Sequence, residues 1–113
     1  MSVTAKLKLR EGEQVLKDGA ANLQRGVETV GGRLYLTNQR LVFQPHRFNV
    51  QSQAAELELA GVRSIRPCWT KLLNLIPLAP NSLSVVAAQE EYRFVLFGRR
   101  AWASAIQSAL PNR

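Results

Sequence analysis

Arg33-Leu34-Tyr35-Leu36-Thr37-Asn38-Gln39-Arg40-Leu41-Val42-Phe43-Gln44 is the stretch that decides the fold. Two segments of strict apolar–polar alternation flank Asn38-Gln39. With that pair as a two-residue turn, Leu36 stands opposite Leu41 and Leu34 opposite Phe43. The other face then carries Arg33, Tyr35, Thr37, Arg40, Val42 and Gln44. Both strands name the same side as core, which is the condition for a defined register. Asn38 is expected to supply the positive φ of the turn, where Gln39 is a poorer choice than glycine.

Upstream, residues 1–13 form a charged approach segment ending in Glu11-Gly12-Glu13. Gln14–Asn22 reads as a first strand, with Gly19 as a bulge or bend. Leu23–Gly32, holding Gly26, Gly31 and Gly32, reads as a loop before the next strand. Downstream, Pro45 ends the hairpin and His46–Ala54 is a polar loop. Ala55–Leu59 alternates again, with Leu57 and Leu59 inward and Glu56 and Glu58 outward. Ala60-Gly61 turns into Val62–Arg66, stopped by Pro67. Beyond Cys68–Asn81, where neither period holds, Ser82–Ala87 and Glu91–Phe97 form a second hairpin with Leu83, Val85, Phe94 and Leu96 inward. The turn between them, Ala88-Gln89-Glu90-Glu91, has no glycine. After Gly98 the period lengthens: Trp102, Ala105, Ile106, Ala109 and Leu110 make one stripe of a three-turn helix, stopped by Pro111.

A chain of 113 residues with 46% hydrophobic and 20% charged residues fits one globular domain and excludes a disordered one. One domain therefore spans residues 1–113, with its core at about 11–110. The single cysteine, Cys68, forms no internal disulfide, which favours a reducing compartment. Residues 1–10 lack a secretory hydrophobic run. The longest apolar-rich stretch, Leu72–Ala79, is far short of the roughly 20 residues that span a bilayer. These features read as a cytoplasmic domain, with a peripheral place at the membrane open to it.

The order of short strands and one amphipathic C-terminal helix implies a mainly β (α+β) fold: a bent sheet or open barrel of about seven antiparallel strands. Gly12-Glu13, the run Gly31-Gly32-Arg33-Leu34-Tyr35-Leu36-Thr37-Asn38-Gln39-Arg40-Leu41-Val42-Phe43, and Tyr92-Arg93-Phe94 followed by Trp102 resemble the GRAM domain pattern, in order, over about residues 11–110. The resemblance implies a pleckstrin-homology-like barrel used to bind membrane phosphoinositides or proteins. In such barrels the open end, built from the loops after the first and third strands, is the usual headgroup site. Mapped by order, Lys17, Arg25, Arg33 and Arg47 are the cations expected to converge there, against the plainer reading of scattered surface charge. Thr37-Asn38-Gln39-Arg40 reads as turn chemistry rather than a binding motif.

Residues suited to catalysis or metal binding are few in the sequence. His46 sits in a polar loop, and Cys68, between Pro67 and Trp69, reads as a small core residue. One Cys and one His do not complete a four-ligand zinc site. No glycine-rich phosphate loop opens a helix. No catalytic residue, metal or cofactor is expected, and the chain reads as a binding module rather than an enzyme.

The charge of +7, with 11 of 15 basic residues arginine, suits phosphates, anionic headgroups or acidic proteins. Residues 69–80 read either as a strand and loop folded over the barrel or as an exposed apolar segment. In the second reading Leu72, Leu73, Leu75, Ile76 and Leu78 meet a membrane interface or a partner. The leading expectation is an anionic lipid surface bound through the basic open end. The alternative is protein interaction or self-association through residues 69–80 or a sheet edge. Nucleic acid ranks last, because Tyr35 alone is an outward strand aromatic.

Overall fold

A computed structural model describes residues 7–25, 28–46, 54–72 and 76–111, with backbone alone at Arg25, Glu28, 69–72 and 76–81. Seven antiparallel strands precede one helix: β1 (Val15–Arg25), β2 (Glu28–Thr37), β3 (Arg40–Pro45), β4 (Ala55–Glu58), β5 (Val62–Leu72), β6 (Ile76–Ala87), β7 (Glu90–Leu96) and α1 (Arg99–Ala109). A 3-10 turn at Leu59–Gly61 joins β4 to β5. They form one sheet in the order β4-β3-β2-β1-β7-β6-β5.

The deciding hairpin has the expected register, Leu34↔Phe43 and Leu36↔Leu41, and all four side chains are buried. Phe43 meets Phe94 of β7 with ring centroids 6.1 Å apart, so the hairpin packs against the other half of the bent sheet. Trp102 and Ile106 of α1 enter the same core, with Ala105, Ala109 and Leu110 packed against it. Burying Trp102 and Ile106 contributes roughly 1.5–3 kcal/mol each. The helix is a wall of the core.

Several local expectations are corrected. Leu23–Gly32 is not a loop: β1 runs to Arg25, β2 begins at Glu28, and Gly31 and Gly32 are strand residues. Gly32 is there for close approach. A Cβ on it would lie 2.2 Å from the Gln44 carbonyl oxygen and 2.7 Å from Phe43 Cζ, below any tolerable contact. Gly19 is no bulge; the register shift lies between Val15 and Lys17. Pro67 does not stop β5, because β5 is the sheet's edge strand and an edge tolerates a missing N–H.

The turns also exchange roles. Among the described non-glycine residues only Ala88 (φ 52°) and Gln89 (φ 68°) are left-handed, so Asn38 does not take the positive φ expected of it. The Thr37 hydroxyl holds that turn instead, accepting from the N–H groups of Gln39 (3.0 Å) and Arg40 (2.9 Å). Ala88-Gln89 forms the left-handed turn between β6 and β7, and Glu90 and Glu91 begin β7 rather than lying in it.

Left-handed backbone costs an L-residue about 1–2 kcal/mol, part of which returns as unfolded-state entropy when glycine is placed there. Gln89→Gly is expected to raise unfolding stability by about 0.5–1 kcal/mol. Gly32→Ala, forced against the β3 backbone, is expected to lower it by about 2 kcal/mol or more. Urea midpoints of the two variants check both signs.

Candidate functional site

A buried polar cluster joins the approach segment to the deciding hairpin. Arg40 donates from Nε to Glu13 Oε2 (2.7 Å) and from Nη2 to Glu13 Oε1 (3.0 Å), a two-pronged ion pair. The side chain of Glu13 is fully buried and that of Arg40 only 9% exposed. Thr37 Oγ1 donates to Glu13 Oε2 (2.7 Å) and the Arg10 N–H to Oε1 (2.7 Å). Arg40 continues to Glu56 Oε2 (3.0 Å) and the Lys8 carbonyl (2.8 Å). Arg10 bridges Glu56 (2.7 Å) and Glu58 from outside.

The hairpin's second face is therefore partly covered, with Thr37, Arg40 and Val42 buried. Residues 7–14 lie across it, tied also by Asn38 to the Gly12 carbonyl (3.0 Å) and by Gln39 to the Glu11 carbonyl (3.0 Å). Thr37-Asn38-Gln39-Arg40 is turn chemistry, as expected, and also the anchor of this cluster.

The Arg40 hydrogen bonds, aided by Thr37 and the Arg10 N–H, hold the Glu13 carboxyl down at about 2 despite its burial. Arg10 likewise lowers Glu58. On β6–β7 the Ser84 hydroxyl donates to Glu91 (2.5 Å) and, with Arg93, lowers that carboxyl.

Of the four cations expected to converge, Lys17 and Arg33 have described side chains, and these two lie on opposite sides of the sheet. Lys17 lies on the core side of β1, its Nζ 5.1 Å from the Trp102 ring centroid, a cation–π contact. Arg33 lies on the outer side and pairs with Asp18, Nη2 to Oδ1 2.5 Å. Arg25 ends β1 at the β1–β2 turn, eight residues from Lys17, or about 26 Å along a strand; its side chain is outside the described residues. Arg47 lies outside them altogether.

The apolar segment resolves into a two-stranded ribbon. β5 and β6 pair out to Leu72↔Ile76, while β7 stops pairing with β6 at Ser82↔Val95. Residues 76–81 thus run past the end of β7. Leu72, Ile76 and Leu78 hold strand positions with side chains outside the described residues; Leu73 and Leu75 lie outside them.

Alternation missed the other feature beside this ribbon. β7 pairs with β1 from Gln24↔Arg93 to Ala21↔Leu96, and the next residue, Phe97, is 93% exposed. It precedes α1, whose Arg99 donates from Nη1 to the Cys68 carbonyl (2.7 Å) on β5. A strand-end aromatic with no inward role was the available signal.

His46 is exposed and follows β3, and Cys68 is half-buried on β5, with four strands between β3 and β5 in the sheet order. Among the described residues no His, Cys, Asp and Glu cluster could hold a metal. No helix among them is long and apolar enough to cross a membrane.

The family model of the GRAM domain matches residues 3–110. This chain belongs to the GRAM domain family. No curated protein matches the sequence. Among solved structures it is similar to the C-terminal domain of an unknown protein from Leishmania infantum, at TM-score 0.71 and 17% identity, over 90% of this chain and 88% of that one. The Vps36 N-terminal PH domain is similar at TM-score 0.66 and 20% identity, over 91% and 83%. The Slm1 PH domain, solved with phosphoserine, is similar at TM-score 0.63 and 12% identity, over 87% and 97%. Such identities establish the pleckstrin-homology-like fold and leave the ligand to the residues. The GRAM domain described here is of a class of lipid- or protein-binding modules, generally non-catalytic.

Removing one partner of a buried ion pair strands the other and costs roughly 3–5 kcal/mol; Glu13→Ala is expected to destabilise by that amount in urea unfolding. The folded carboxyl sits at about 2, below its ordinary 4.5, so its contribution is complete above about pH 4.5. It is lost progressively as pH falls towards 2. Unfolding midpoints measured across that window are expected to fall for the native chain and to change less steeply in Glu13→Gln.

Proposed function

We propose that this GRAM domain is a peripheral module that recognises anionic lipid headgroups. The observation that carries the reading is how folding distributes the charges. Glu13, Asp18, Glu56, Glu58 and Glu91 are each paired with an arginine of the same chain. The arginines concerned are Arg10, Arg33, Arg40 and Arg93. Lys8, Lys17, Arg63, Arg66, Arg99 and Arg100 form no ion pair among the described residues.

The acids are largely used within the fold, and the surplus of +7 is left for external anions. Arginine suits that use, because its planar fork meets phosphate oxygens two at a time. Family membership supports a binding role, and Slm1 PH with phosphoserine is a phosphate-bearing precedent on the same fold. Arg25, at the β1–β2 turn, and Arg47 are candidates for headgroup contact on the resemblance alone. Lys17 and Arg33 act, on this reading, through the general field.

Sedimentation with phosphatidylcholine vesicles of graded phosphatidylserine content tests the proposal. The bound fraction is expected to rise steeply with anionic content and to fall severalfold between 0.05 and 0.5 M salt, about the range over which screening collapses to a few ångströms. Binding indifferent to both, or confined to a protein partner, would reject the lipid reading.

A further inference from the structure

We infer that the domain meets the anionic bilayer through the surface around Phe97, with the Phe97 ring entering the interface. The inference rests on the lipid reading above and adds the docking face, which is distinct from the β1–β2 turn end where the family resemblance points.

Four large apolar side chains are exposed among the described residues: Leu9 (46%), Val15 (39%), Leu16 (52%) and Phe97 (93%). Three of them lie on β1 or at the end of its neighbour β7. Leu9 belongs to the approach segment, Val15 and Leu16 begin β1, and Phe97 follows the Ala21↔Leu96 pair on the same strand. Leu16 and Phe97 are thus separated by about four residues of β1, roughly 13 Å. Because β7 ends at Leu96, both of its neighbours run on past it. β1 does so through residues 15–20, and β6 through residues 76–81 of the ribbon. Phe97 and the start of α1 occupy the gap between them.

Phe97 has no packing role to explain it. Leu96 and Phe94 fill the core from β7, and Trp102 and Ile106 fill it from α1. A single exposed apolar side chain is ordinary; Phe97 stands out by its 93% exposure together with its place just before the arginines that open α1.

Charge selects the occupant. β5, β6 and α1 carry Arg63, Arg66, Lys71, Arg99 and Arg100 and not one Asp or Glu. No acidic residue occupies the first turn of α1, and the nearby Asp18 is held by Arg33. Phe97, followed after Gly98 by Arg99 and Arg100 on a helix with no acid in its first turn, matches an anionic bilayer interface, where the ring is buried and cations meet phosphates. A second copy of the chain would bring the same positive charge against itself.

The test uses the full chain with vesicles of 4:1 phosphatidylcholine to phosphatidylserine. Phe97 is exposed, so Phe97→Ser is expected to leave the melting temperature unchanged while weakening binding about tenfold or more. Arg100→Glu is expected to weaken it severalfold. Phe97→Trp is expected to keep wild-type affinity and to gain quenching by brominated lipids beyond that of the wild-type chain. Wild-type binding that Phe97→Ser leaves intact, with no added quenching in Phe97→Trp, overturns this inference alone. Failure of the wild-type chain to bind any anionic vesicle overturns both it and the proposed function. A dimer seen by light scattering that Phe97→Ser dissolves, without vesicle binding, assigns the residue to self-association and overturns the inference.

Discussion

The fold turns on a carboxylate buried beside a guanidinium. Glu13 precedes the first strand, Arg40 opens the third, and Thr37 closes the second. Their contact therefore fixes three chain segments at one point. An isolated buried charge is untenable, so each member is present only because the others satisfy it. The two-pronged geometry dictates how the approach segment crosses the hairpin, and Arg10 then reaches Glu56 and Glu58 on β4. The ion pair is weak evidence for net stability, since desolvation offsets much of its Coulomb gain. Its effect is registry: it ties where β1 begins to where β3 begins.

From that fixed corner the sheet bends around one apolar interior. Leu34, Leu36, Leu41 and Phe43 face Phe94, Leu83 and Val85 from the other half. The helix supplies what the sheet cannot close by itself. Trp102 fills space beside Gly19, where a Cβ would make an ordinary contact of 3.6 Å with the ring, and Lys17 covers that ring. A cation that charge counting offers to a ligand is thus engaged in closing the core. The same closure ends β7 early and turns the chain at Gly98, leaving Phe97 outside.

Charge and apolar surface divide the molecule accordingly. Acidic side chains gather on β1 to β4 and at the start of β7, where arginines answer most of them. β5, β6 and α1 hold only cations. Family membership makes the domain a binding module, and this division leaves one part of it rich in cations. The buried Arg40 is structural, while Arg63 and Arg66 on the edge strand are exposed.

The sequence by itself determined the hairpin register, the inward set on β6 and β7, and the α1 stripe. These follow from periodicity, which acts between neighbours in the chain and needs no knowledge of distant contacts. It misplaced Gly31 and Gly32, because a glycine demanded by the approach of the β3 backbone looks the same in sequence as one demanded by a turn. It also let Lys17 and Arg33 stand as one cluster, since order along the chain does not show that Lys17 takes the core side of β1 while Arg33 takes the outer side of β2. The Glu13–Arg40 pair spans 27 residues, and Phe97 is exposed because its strand stops before those beside it. Both are decided by which segments meet in space. Tertiary structure alone therefore decided which charges are internal and which face outward.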